Sequence, residues 1–216
     1  MNQPVAWGLP HPERADAARN RRHLLATARE MLSQQGADTL TMDGLAERAG
    51  LGKGTVFRRF GTRAGIFAAL LDDDERAFQA QVLSGPPPLG PGAPPLDRLI
   101  AYGRARIDFL IRHREIARAA LDGREQVPAG SQTPMSRVHI GLLLGQLGLE
   151  AADRDAAGRN RCAVDLDVLA TQLTAALDGP LLLYLSPALL TEAAPQVSAR
   201  LGLGWEDLVS RVCRPW

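Results

Sequence analysis

Residues 41–63 read TMDGLAERAGLGKGTVFRRFGTR, and this stretch decides the fold. Thr41 is placed to cap a helix, because its hydroxyl can accept from a backbone N–H that lacks an intrahelical partner, and Asp43 puts a negative charge at the positive end of the helix dipole. Met42, Leu45, Ala46 and Ala49 then recur at i, i+3, i+4 and i+7, which is one buried stripe. Asp43, Glu47 and Arg48 fall opposite. Gly50 ends the helix, since glycine enters the left-handed region without a steric penalty. Leu51 is the one apolar residue of the turn and belongs in the wedge between two crossed helices.

The second helix runs from about Gly52 to Phe60. Val56 and Phe60 lie four apart on the face that packs, with Phe57 at its flank. Thr55, Arg58 and Arg59 point away, and Lys53 sits at the first turn. A short helix whose free face offers a hydroxyl, two guanidiniums and an ammonium carries the donors that phosphates and guanine edges accept from in a major groove. Gly52 and Gly54 let the backbone approach a duplex closely. Taken alone, this is also what a basic surface helix looks like; the coincidence of cap, stripe, glycine turn and basic free face favours nucleic acid.

The run from Leu40 to Phe60 with its flanks resembles the N-terminal domain of TetR-type (TetR/AcrR) transcriptional regulators. Gly36, Thr41, Leu45, Ala46, Ala49, Gly50, Leu51, Gly54, Thr55, Val56, Phe57, Arg59, Phe60 and Arg63 carry that resemblance, which is specific over about residues 16–76. It implies an all-α fold, with an N-terminal three-helix DNA-binding domain containing a helix-turn-helix, followed by a helical ligand-binding and dimerisation domain. The expected partners are double-stranded DNA as a palindromic operator, a second copy of the chain, and a small, mostly apolar effector of unknown identity. The DNA-binding residues it implies are Thr41, Lys53, Gly54, Thr55, Phe57, Arg58, Arg59 and Arg63. Of these, Thr41 and Arg63 are expected on phosphates together with the arginines near Arg19, while Lys53, Thr55 and Arg59 face bases or adjacent phosphates. Two departures stand out. Phe57 replaces the commoner tyrosine and keeps only an apolar contact, and Gly61 stands where proline is usual, which loosens the entry to the next helix.

The overall charge of +1 hides an asymmetry. Between Arg14 and Leu71 there are ten basic residues against five acidic ones, so the remainder of the chain carries a net −4. A basic head on a mildly acidic body suits a protein that binds a polyanion with one end. The 216 residues, 45% of them hydrophobic, exclude general disorder and can bury a substantial core. No apolar run approaches the roughly 18 residues of a membrane span, and the N-terminus lacks the pattern of a signal peptide, so no membrane partner is expected and the cytoplasm is the expected location. Cys162 and Cys213 lie far apart without paired histidines and give no metal pattern. No cofactor is expected.

Three domains are expected along the chain: a flexible arm over 1–13, a DNA-binding domain over 14–71 (motif 41–60), and an effector-binding and dimerisation domain over 72–216. The first helix spans Asp16 to Gln35. Thr62 caps a fourth that reaches about Leu83 and has the length to connect two domains. SGPPPLGPGAPP, residues 84–95, reads as a mobile loop. Helices then follow over Leu96–Arg112, Glu115–Leu121 (closed by Gly123) and from Thr133 to about Leu149, where Gly141, Gly145 and Gly148 allow close helix packing or leave room for a cavity, with packing favoured. A helix over 164–177 meets Gly179 and Pro180 and either kinks or breaks there. A last one runs from about Pro195 to Cys213.

Tyr102, Arg106, Phe109, Met135, His139 and Tyr184 are polar-tipped, aromatic or flexible groups on otherwise aliphatic helices, the mixture an apolar ligand pocket needs, and are the candidate ligand-binding residues. His11, His23, His113 and His139 are scattered, and no nucleophile, phosphate-loop or metalloprotease motif is present, so no catalytic or metal residue is expected and the chain reads as a non-enzyme. The rival reading is a helical small-molecule-binding protein or enzyme without a DNA function; a scaffold that docks its basic helix pair on an acidic protein is the other.

Overall fold

The computed structural model describes residues 12–121, 133–149, 165–184 and 194–213. The expectations placed on the N-terminal arm as far as residue 11, on Gly123 and on Cys162 lie outside these, as do the side chains of Arg14 and Tyr184. All regular structure among the described residues is helical. The chain divides into two compact units, 1–73 and 74–216.

In the first unit α1 (Pro12–Gln35) begins four residues earlier than Asp16, with a proline as its first helical residue, where the missing N–H costs nothing. A single 3-10 turn at Ala37–Thr39 leads to α2 (Met42–Arg48), α3 (Lys53–Phe60) and the start of α4 (Arg63–Ser84). Thr41 caps α2 as its position suggests, accepting from the Gly44 N–H at 3.0 Å. Thr62 does the same for α4 through Gly65 at 3.1 Å. Leu24, Leu25 and Ala28 of α1, Leu45 and Ala46 of α2, Val56 of α3, and Ile66, Phe67 and Leu70 of α4 are all buried and form the core. Gly61 is the place where the departure from proline matters. It closes α3 at a φ of 71°, which proline's ring forbids, and its N–H reaches the Phe57 carbonyl at 2.8 Å. The turn into α4 is thus fixed by a glycine cap instead of being loosened.

The second unit holds the rest of α4, then α5 (Pro95–Arg112), α6 (Arg114–Leu121), α7 (Thr133–Gln146), α8 (Leu166–Tyr184) and α9 (Ala194–Val212). α8 continues through position 180 as one helix. α5 packs on α9, and α7 on α8. Leu99, Ile107, Ile140, Leu143, Leu144, Leu173, Leu177, Val197, Trp205 and Val209 make its core. The proline-rich connection is tied down more than its composition suggests: Gly90 donates to the Pro86 carbonyl at 2.9 Å, and Leu89 packs against the core. One apolar residue in a polar turn is enough to dock it.

Of the three glycines read on this segment, Gly141 on α7 faces α8, where an added Cβ would meet Ala170 at 3.7 Å, and Gly148 takes a φ of 71° beyond the helix end. Gly145 has open space around it.

Candidate nucleic-acid interface

α3 buries only one side chain completely, Val56, and presents the others. Lys53, Gly54, Phe57, Arg58 and Arg59 are exposed and Thr55 is half-buried. An eight-residue helix held by one valine and the flanks of Leu51 and Phe60 leaves most of its circumference free, which is the condition for entering a groove. Lys53 pairs with Asp43 at 2.9 Å, and Arg59 donates to the Ala17 carbonyl at 3.1 Å. Both contacts are exposed and exchange readily for phosphate oxygens. Gly54 has nothing within 4 Å of an added Cβ, so a close approach of the helix start to a large ligand meets no obstruction from the chain itself. Beside α3 lies an open groove of about 510 Å³, lined by Asp16, Ala17, Asn20 and Leu24 of α1 and by Thr55, Arg58 and Arg59.

Phe57 is 48% exposed. Solvating a phenyl ring on a basic surface forgoes burial of its apolar area, and the cost is recovered only against a partner. Thr41 is exposed, with its hydroxyl already accepting from Gly44; its O–H remains a donor.

Arg63 behaves differently from the expectation of a phosphate contact. Its Nε donates to the Leu40 carbonyl and one terminal nitrogen to the Ala37 carbonyl, each at 2.7 Å, with the guanidinium 5.0 Å above the Phe67 ring. The residue closes the turn between α1 and α2 from inside the unit. Arg21 and Arg29 are likewise turned to α4, Arg21 near Asp72 and Asp73 at 3.7 and 3.8 Å and Arg29 on Asp73 at 2.8 Å. Arg19 remains exposed and pairs with Asp16 one turn away at 3.1 Å. These intramolecular roles depend on pairings between distant segments, which sequence periodicity does not report.

The body candidates partly converge. Tyr102 packs against His139 with ring centroids 4.8 Å apart and the planes tilted by 49°, and donates to Ser136 Oγ at 2.7 Å. Phe78 lies 5.8 Å from Tyr102 and 5.4 Å from Phe109. Arg106 sits 5.2 Å over Phe109 and forms a buried ion pair with Glu75. Met135 stays at the surface, 36% exposed, and does not join the group. Glu75, Ser136 and Phe78, which sequence reading missed, complete it. The signal was the i, i+4, i+8 run Arg98, Tyr102, Arg106, three long polar side chains on one face of an otherwise apolar helix. Burial pushes the His139 imidazole down to about 4, with the Arg98 charge acting in the same direction. Burial raises the Tyr102 phenol, and it also raises the Asp178 carboxyl against the opposing pull of Arg106.

Residues 24–70 match the family model of the bacterial regulatory proteins of the tetR family. The head is thus similar to that of the tetR family, and the fold is of the TetR type. Among solved structures, a TetR-family transcriptional regulator from Pectobacterium atrosepticum is 22% identical, with a TM-score of 0.62 over 90% of this chain and 94% of that one. A TetR transcriptional regulator from Streptomyces coelicolor is 26% identical, with a TM-score of 0.52 over 90% and 98%. A regulator of the TetR/AcrR family from Thermobifida fusca is 16% identical, with a TM-score of 0.56 over 88% and 97%. No curated protein matches the chain. The TetR-type architecture therefore extends through both units, whereas the family model covers the second half of α1 to the first turns of α4. No helix among the described residues is long and apolar enough to cross a membrane.

Proposed function

We propose that the chain is a homodimeric, sequence-specific transcriptional repressor that binds a near-palindromic operator through α3 and is released from it by a small, mostly apolar effector bound in the body. The observation that carries the DNA-binding part is the free face of α3, where Lys53, Thr55, Phe57, Arg58 and Arg59 surround a single buried anchor, Val56. Lys53, Thr55 and Arg59 serve base edges or the phosphates beside them, Arg58 and Thr41 serve phosphates, Gly54 admits the backbone, and Phe57 makes an apolar contact such as a thymine methyl offers.

Dimerisation follows from selectivity. One head of this size makes few base contacts, and two heads on successive major grooves multiply them. Val168 on α8 and Leu203 and Leu208 on α9 are large apolar groups left exposed, as an intersubunit helix bundle requires. Release by a ligand has a physical carrier in α4, one helix from Arg63 to Ser84 that begins in the head and contributes Glu75, Phe78 and Val82 to the body's buried groups. A ligand acts only through its differential affinity for the two states, and a typical coupling of about 1–3 kcal/mol gives roughly 5- to 150-fold.

The test is selection of bound duplexes from a random pool, followed by titration of the winner. The expected outcome is an inverted repeat bound far better than its half-site. Arg59→Ala is expected to cost about 1–3 kcal/mol on the selected site and to relax preference at one base step. An equal loss on random duplex makes Arg59 a phosphate contact, and selection of no sequence at all overturns the reading.

A further inference from the structure

The buried polar groups of the body have two ends, each with a guanidinium Nε that meets no hydrogen-bond partner, and they differ in whether the guanidinium's charge is paired. At one end Arg106 is 3% exposed and already faces two acids, Glu75 in a direct ion pair and Asp178 within electrostatic reach. At the other end, two turns or about 12 Å back along α5, Arg98 is half-buried and forms no ion pair among the described residues; its Nε is covered and meets no hydrogen-bond partner. Tyr102 stands one turn on from Arg98 and packs against the ring of His139, which is 7% exposed, with Nε2 buried and equally unpartnered. A buried polar nitrogen without a partner is costly, and native interiors supply one, from the protein or from what it binds.

The chemistry of these nitrogens selects the ligand. An arginine Nε–H only donates, and a neutral imidazole can present Nε2 as a donor. A cationic or donor-only ligand would meet a guanidinium with nothing to offer it. A carboxylate is an acceptor for donors of both kinds and compensates the Arg98 charge, with the charge-assisted hydrogen bonds that a buried site rewards. Phe78 lies beside Tyr102, and Leu99 and Ile140, the chain neighbours of Arg98 and His139, belong with it to the unit's apolar core, so the remainder of the molecule is apolar too.

We propose that Arg98 and His139, held in register by Tyr102, form an anion-head subsite in the body, and that the effector is an amphipathic carboxylate whose head accepts from Arg98 Nε–H and His139 Nε2–H. This rests on the reading of the body as an effector domain and names the ligand's chemical class.

The experiment uses the full chain and matched probes that differ only in the head: octanoate, 1-octanol and octylamine, and benzoate, benzyl alcohol and benzylamine. Affinity is measured calorimetrically at fixed ionic strength, with thermal melting in parallel, on the wild type, Arg98→Gln and His139→Gln. At least one carboxylate is expected to bind about tenfold or more tighter than its alcohol, the size that charge-assisted hydrogen bonds command, with the amine weaker still. Arg98→Gln and His139→Gln are each expected to erase most of that difference while leaving the alcohol unchanged. Equal binding of acid and alcohol, no binding of either carboxylate, or full discrimination in Arg98→Gln overturns the proposal. Duplex binding by the same variants without probe is expected to match the wild type, so failure of the subsite is separable from failure of the DNA-binding reading.

Discussion

Arg63 and His139 show how a side chain's role follows from what its neighbours leave unsatisfied. The Ala37 carbonyl already accepts from the Leu40 N–H across the 3-10 turn at 3.2 Å and has a second lone pair to offer, and Arg63 donates to it and to the Leu40 carbonyl with its planar fork. Arg63→Ala is therefore expected to destabilise the chain by about 1.5–3 kcal/mol in chemical denaturation, the scale of hydrogen bonds to a charged group. Wild-type stability combined with weakened duplex binding would instead return Arg63 to the phosphate role that its place in the family pattern implied. His139 makes a prediction in pH. Its imidazole is lowered from 6.5 to about 4 by burial, so the folded state resists the proton that the unfolded state accepts. The sign follows: its contribution is intact above about pH 6.5 and is lost as pH falls toward 4, a total on the order of 3 kcal/mol. Unfolding free energies of the wild type and His139→Gln, compared between those limits, are expected to show a steeper decline for the wild type; parallel curves would contradict it. At this scale the sequence was readable where a role is local. Thr41 and Thr62 cap the helices that follow them, and Gly50 ends α2 at a φ of 63°. It was opaque where the partner lies far along the chain, as for Arg63 or for the Glu75 carboxylate under Arg106.

Helices, being fixed by periodicity and end signals, were the most legible features. α2, α3 and α5 start and stop within a residue or so of where stripe, cap and glycine place them. How they pack was less legible, because contact between elements depends on which small residue faces which large one. Gly103 is the clearest case. It was one glycine in an apolar helix, yet an added Cβ would lie 1.9 Å from Trp205 Nε1, and that indole N–H donates to the Leu99 carbonyl one turn away at 3.1 Å. The glycine admits the tryptophan that joins α9 to α5. In an open helix Gly→Ala stabilises by up to about 1 kcal/mol, whereas here overpacking dominates, and Gly103→Ala is expected to destabilise by about 1–3 kcal/mol or more with loss of the buried Trp205 fluorescence. A neutral or stabilising Gly103→Ala would show that α5 and α9 are not packed this way. Gly145, with open space around it, is the matched control and is expected to tolerate alanine.

For the whole molecule the informative quantity is the distribution of charge. The net of +1 is the residue of a basic N-terminal third and an acidic remainder. Part of that basicity is spent internally, since Arg21, Arg29 and Arg63 serve the head's own structure, which leaves Arg19, Arg22, Arg48, Lys53, Arg58 and Arg59 as the head's exposed cations among the described residues, with Lys53, Arg58 and Arg59 on α3 itself. A sequence count overstates the field available to a ligand for this reason, and it says nothing about which acids the cations meet. The most direct measurement is the affinity of the full chain for its selected duplex as a function of salt. Neutralised phosphates release counterions, so affinity is expected to fall on the order of a thousandfold between about 50 and about 200 mM salt for a dimer making some six or more phosphate contacts, and the log–log slope is expected to shrink when Arg58 is replaced by alanine. Affinity that does not change with salt, or a chain that binds no duplex at low salt, would contradict the assignment of α3 and its basic surround as a DNA-binding face.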